Sequence, residues 1–180
     1  MARWPQVARR IRVPAGFVLA AVYLWLARPN RGSILLGLFF IVVGLVLRGL
    51  ASGHVQKNEE LATSGPYAYT RNPLYLGSFI LALGFTAAAR SLWIAIAVAL
   101  LLIVIYLPVI RAEEEFLRAR FPGFEKYARR VPRFFPSLSP AQDSAGAFSW
   151  ALYRKHHEYN ATVGAAAMVG ALIVKMHFYP

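Results

Sequence analysis

The 180-residue chain has no cysteine. Disulfides, thiolate metal sites and a cysteine nucleophile are therefore excluded. Acidic residues are scarce, with 8 Asp and Glu against 20 Lys and Arg and only 4 His, for a formal net charge of +12. No set of His and Glu has the spacing of metal ligands, and no metal is expected. Such a positive charge suits nucleic acid or anionic lipid. A basic-aromatic nucleic-acid module is missing, so lipid is the expected partner and nucleic acid is not. The N-terminus also lacks a small-x-small cleavage site followed by a soluble body, so it reads as a basic flank, not a signal peptide.

What the chain has in abundance is apolar side chains. They make up 58% of residues, against roughly 45–50% in a soluble domain. They gather in runs at 13–27, 33–47 (reaching 51 if Arg48 snorkels to the interface), 74–89, 92–110 and 161–176. The first run spans only about 22 Å at about 1.5 Å per residue, so it needs its flanks or a thinned bilayer to cross. The third carries Gly77 and Gly84, which permit close helix contact, and the last is rich in Gly and Ala and is expected to pack on protein rather than face only lipid. Residues 148–153 are expected to lie at the interface, with Trp150 and Tyr153 as belt aromatics.

The fold expected is an all-α, polytopic integral membrane protein of about five transmembrane helices. It forms a single domain over residues 1–180, with a core at 33–136 and an interfacial helix plus fifth span at 147–178. With the N-terminus inside, 16 of the Lys and Arg residues fall on the inner side and 4 on the outer, as do all 8 acids on the inner side. This asymmetry is the positive-inside pattern. It places charged chemistry on the cytosolic face, at the inner membrane if the chain is bacterial.

One polar stretch interrupts the apolar runs: Gly65-Pro66-Tyr67-Ala68-Tyr69-Thr70-Arg71-Asn72-Pro73-Leu74-Tyr75-Leu76-Gly77. Its prolines pin φ and push Gly65 and Asn72 out of the helical region. Tyr67, Tyr69, Arg71 and Tyr75 are thus held on a stiff turn at a membrane surface. Residues 111–130 emerge from the same surface as a charged amphipathic helix, interrupted at Pro122-Gly123. It begins with Arg111, Glu113, Glu114 and Glu115 at the C-terminal end of a span, where the helix dipole disfavours anions unless a partner compensates. Aromatic walls with adjacent carboxylates suit a cationic, base-bearing ligand. Arg71-Asn72-Pro73 also fits a simple helix start, with Asn as cap and Pro at the first position.

Three pieces carry a family resemblance: Gly65-Pro66-Tyr67-x-Tyr69-x-Arg71-Asn72-Pro73-x-Tyr75-x-Gly77, then Glu113-Glu114-x-x-Leu117-x-x-x-Phe121, then Tyr127-x-x-x-Val131-Pro132-Arg133. In this order they resemble the isoprenylcysteine carboxyl methyltransferases, a family related to membrane phospholipid methyltransferases. The resemblance covers roughly residues 53–136. It implies a membrane methyltransferase using S-adenosyl-L-methionine, with a cytosol-facing cofactor pocket and a lipophilic acceptor entering from the bilayer. Carried over by position, Glu60, Leu61, Ala62, Tyr67, Asn72, Pro73, Leu74, Tyr75 and Glu113 are the expected cofactor-binding residues. Arg111 is the candidate holder of an anionic acceptor. Glu114, three residues on, is expected to organise Arg111 or to play a structural part. Asn72 stands where eukaryotic members usually have His, and Val109 stands where they have a substrate-facing Arg. The alternatives are a sterol-reductase-like NADPH enzyme and a non-catalytic membrane scaffold on the same fold.

Overall fold

The computed structural model describes residues 17–56, 59–141 and 146–178, and among these it is helical with no strand. Helix α1 (Phe17–Leu26) leads through a turn to α2 (Arg31–Ser52). A single 3-10 turn (Gly65–Ala68) precedes α3 (Pro73–Ala89). Then come α4 (Leu92–Arg120), α5 (Phe124–Arg130), α6 (Trp150–Lys155) and α7 (Tyr159–Phe178). Residues 13–16 of the first apolar run lie outside the described residues.

Local signals set most of the boundaries. Asn30 Oδ1 accepts from Ser33 N at 2.8 Å while Asn30 N donates to Ser33 Oγ at 2.9 Å, a reciprocal cap that starts α2. Pro73 takes the first position of α3, where its missing N–H costs nothing. Helix α4 runs further than its apolar run, continuing without a break into the charged stretch. It absorbs Pro108 by widening into a π turn at Leu102–Tyr106, just before the residue that cannot donate. The expected interruption at Pro122-Gly123 separates α4 from α5.

Helices α2 and α3 pack antiparallel along a seam of glycines. A Cβ on Gly37 would stand 2.6 Å from Gly84 O, and one on Gly44 would stand 2.7 Å from Gly77 O. Only hydrogen at these positions lets the backbones approach so closely. At one end of the bundle Tyr23, Ala27, Ile34, Ala88, Ile94 and Leu172 form a buried core. The helices otherwise turn large apolar side chains outward, among them Leu35, Phe39, Val46, Trp93, Leu100, Ile103 and Val174. Apolar surface on this scale calls for lipid around it.

The chain is an all-α membrane protein. Among the described residues, α2, α4 and α7 are long and apolar enough to cross a bilayer, while α1 and α3 are shorter apolar helices. Two expectations need correcting. Helix α7 buries only Ala165 and Leu172, and a Cβ on Gly164 or Gly170 would meet nothing within 4 Å. Its glycines therefore face outward, and its contact with protein runs through Ala165, Leu172, Met168 and Met176 instead. Nor does Arg48 snorkel alone. It pairs with Glu158 at 2.8 Å and contacts Ser78, tying the start of α7 to α2 and α3.

Candidate active site

The Pro-stiffened turn is built as its sequence demands. Gly65 sits at φ 57°, and a Cβ there would lie 2.6 Å from the His54 ring. Only glycine adopts this left-handed turn freely. The turn is then stapled to the stretch after α5. Arg71 N donates to Pro132 O at 2.9 Å, Ser137 N to Tyr69 O at 3.0 Å, and Thr70 Oγ1 to Phe134 O at 2.9 Å. Below it, Tyr127 Oη donates to Tyr67 O at 2.8 Å. Burial raises the Tyr67 and Tyr127 hydroxyls well above the ordinary tyrosine range, with Glu113 adding to the rise at Tyr67. Both remain neutral.

Two adjacent glutamates of α4 hold the turn from the other side. Glu113 Oε2 accepts from Tyr75 Oη at 2.7 Å, joining α4 to α3. Glu114 is only 3% exposed. Its oxygens accept from Asn72 Nδ2 at 2.9 Å and Arg133 Nε at 2.9 Å, and Arg71 Nε lies 3.4 Å away. That last contact is within ion-pair range but too poorly aligned for a hydrogen bond, and Arg71 Nε has no other partner. Arg71 Nη1 donates to Ala128 O at 3.2 Å. A buried carboxylate needs such company, since a lone one is strongly disfavoured.

Glu114 therefore organises Asn72, Arg71 and Arg133, not Arg111. A helical (i, i+3) neighbour was the expected partner, but the tertiary fold supplies better-placed ones. Arg111 is exposed. Asn72 makes no side-chain cap bond; its amide is spent on Glu114 and on Arg133 O at 2.9 Å.

Between these walls lies a cavity of ≈ 520 Å³. The segment before the turn contributes Glu60, Leu61 and Ala62; the turn and the start of α3 contribute Tyr67, Asn72, Pro73, Leu74 and Tyr75; and α4 contributes Glu113 and Glu114. All nine positions carried over as cofactor-binding thus surround one space. Arg111 is not among the lining residues.

The lining also includes Val55, Gln56, Arg71, Val109, Phe116, Leu117, Phe124 and Tyr127. Helical spacing from Glu113 points to Val109, Phe116 and Leu117, which flank it by three or four residues. No local signal marks Val55 or Gln56. The stretch Val131-Pro132-Arg133 serves as a brace. Val131 packs on Phe124 and Tyr127 while Pro132 O and Arg133 O hold the turn. His54 lies off the cavity, its ring nitrogens 2.7 Å from Leu50 O and 3.1 Å from Gly146 O.

Charge in the cavity is uneven. Glu114 is balanced by Arg71 and Arg133, whereas among the described residues Glu113 and Glu60 accept only from the neutral donors Tyr75 and Gln56, the latter at 2.9 Å. The space is aromatic, partly apolar and net acidic. Among the described residues no group of three or more His, Asp and Glu is placed to hold a metal ion.

The family model described as phospholipid methyltransferase matches residues 13–123. The cobalt-zinc-cadmium resistance protein CzcN of Cupriavidus metallidurans is 39% identical over 71% of this chain and 62% of its own length. The nickel-cobalt-cadmium resistance protein NccN of Alcaligenes xylosoxydans xylosoxydans is 42% identical over 64% of this chain and 54% of its own length. The protein-S-isoprenylcysteine O-methyltransferase of Schizosaccharomyces pombe is 28% identical over 74% of this chain and 58% of its own length. The chain thus spans between half and two thirds of the length of the curated relatives it matches, and no solved structure matches it. With a family model covering most of its helical body, the chain belongs to the phospholipid methyltransferase family, in company with the isoprenylcysteine methyltransferases it resembles.

Proposed function

We propose that this protein transfers a methyl group from S-adenosyl-L-methionine to a lipophilic acceptor, an isoprenylcysteine-type carboxylate or a similar group, at the cytosolic face of the membrane. The observation that carries the reading is the convergence of Tyr67, Asn72, Tyr75 and Glu113 on one acidic, aromatic cavity. The fit is physical. A space of ≈ 520 Å³ falls within the range of small-molecule sites, roughly 300–1,000 Å³. Glu113, which has no cationic partner among the described residues, favours a positively charged ligand, and tyrosine rings offer faces to a base or a cation. When bound, the cofactor supplies a methyl group already activated by a positively charged sulfur.

The chain's own residues then have little acid–base work to do. Glu113, oriented by Tyr75, grips the cationic ligand. Glu114 sets the rigidity of the wall by fixing Asn72 and Arg71. The remaining task is to align the acceptor with the transferring carbon, where correct positioning is worth several orders of magnitude. No histidine is among the lining residues, which fits an acceptor already ionised at neutral pH. Five crossings by α1, α2, α3, α4 and α7 complete the reading, with the N-terminus and the cavity on the cytosolic side. Membranes containing the protein, incubated with methyl-labelled S-adenosylmethionine, are expected to release label into a lipid extract, and Glu113→Ala membranes are not. Equal label from both would overturn the assignment.

A further inference from the structure

At the end of the bundle opposite the cavity, the turns converge on a second concavity of ≈ 830 Å³. Arg28 and Arg31 come from the α1–α2 turn, Arg90 from the α3–α4 turn, and Lys175 and His177 from the end of α7. No acid lines it, and every described acid lies on the segments around the other end of the bundle. Lys175 is already engaged, donating to Leu24 O at 2.6 Å and Trp25 O at 2.9 Å, the last carbonyls of α1. The three arginines are exposed, and among the described residues their side chains have no ion-pair or hydrogen-bond partner.

Like charges gathered in one hollow repel each other unless an anion sits among them. Arg90 even adopts the left-handed region, φ 51°, where glycine would sit without strain. Trp25, 80% exposed, stands at the rim, the level at which tryptophan meets headgroups. We propose that this concavity binds a phosphate, carried by the headgroup of an anionic phospholipid in the leaflet opposite the cavity. The guanidiniums of Arg28, Arg31 and Arg90 surround the phosphate and Trp25 packs on the adjoining lipid. This site is independent of the methyl-transfer reading.

The test is thermal unfolding of the purified full chain in neutral detergent, titrated with phosphatidylglycerol, phosphatidylcholine or inorganic phosphate. Phosphatidylglycerol is expected to raise the melting midpoint and phosphatidylcholine to leave it unchanged. Each of Arg28→Gln, Arg31→Gln and Arg90→Gln is expected to weaken the half-saturation by roughly five-fold, the share of one basic residue at an anionic surface. Arg129→Gln, at an exposed position of α5 at the other end, is expected to leave it unaltered. An undiminished lipid effect in all three single variants, or its loss in Arg129→Gln, would overturn the proposal. A full shift with inorganic phosphate alone would assign the hollow to the free ion and overturn the lipid part.

Discussion

Glu113 and Glu114 are neighbours in sequence with opposite surroundings, and the site turns on that difference. Among the described residues Glu113 meets a single neutral donor, Tyr75, and lines the cavity, whereas Glu114 is buried among Asn72, Arg71 and Arg133. Glu113→Gln is therefore expected to leave the fold intact and to weaken cofactor binding by about ten- to a hundred-fold, the usual range for losing one charge-assisted contact. Glu114→Gln is expected to lower the thermal midpoint instead, because it strands Arg71 in a buried place; a cost of about 2–3 kcal/mol fits the loss of one partner from a buried pair. Midpoints and binding isotherms on both variants separate the two roles.

Tyr67 and Tyr127 make a third residue-scale case. Burial holds both hydroxyls above their ordinary value of about 10. The unfolded chain ionises them near that pH while the folded chain resists. Their contribution is thus complete below about pH 10 and is lost as pH rises beyond it. Melting midpoints across pH 8–11 are expected to fall less steeply for Tyr127→Phe than for the unaltered chain, from a lower start because the bond to Tyr67 O is gone.

At the scale of elements, the glycine seam and the Pro-bound turn were legible because both are local. Gly77 and Gly84 recur every seven residues on one helix face, and Pro66 and Pro73 restrict the residues beside them wherever they fall. Gly44→Ala is expected to force α2 from α3, since its Cβ would lie 2.7 Å from Gly77 O and Leu81 N. A loss of about 1–3 kcal/mol, read as a lower thermal midpoint, is typical of overpacking. What escaped the sequence is long-range. Arg48 reads as a lone cation on an apolar helix, and nothing nearby announces Glu158, its partner 110 residues away. With both side chains only partly buried, Arg48→Gln is expected to cost about 1–2 kcal/mol, less than a fully buried pair. Likewise the flip to charged residues at Arg111 looks like a helix end, because periodicity cannot show that a π turn carries the helix past Pro108. The outward glycines of α7, Gly164 and Gly170, follow the same lesson: composition permits close packing but does not supply a neighbour.

The whole molecule is polar along its axis. One end carries all the described acids and the cavity, and the other carries a hollow lined only by bases among its charged groups. The order of motifs along the chain revealed the first end, because the family pattern names its residues. The second has no motif. It exists only because two inter-helix turns and the end of α7 meet, which is a property of the assembled bundle. The central claim concerns the first end, and titration calorimetry of the purified protein with S-adenosylmethionine tests it most directly. Saturable binding to the unaltered chain, weakened at least ten-fold in Glu113→Gln at an unchanged melting midpoint, is the expected result. No binding to the folded protein, or equal binding to both, would contradict it.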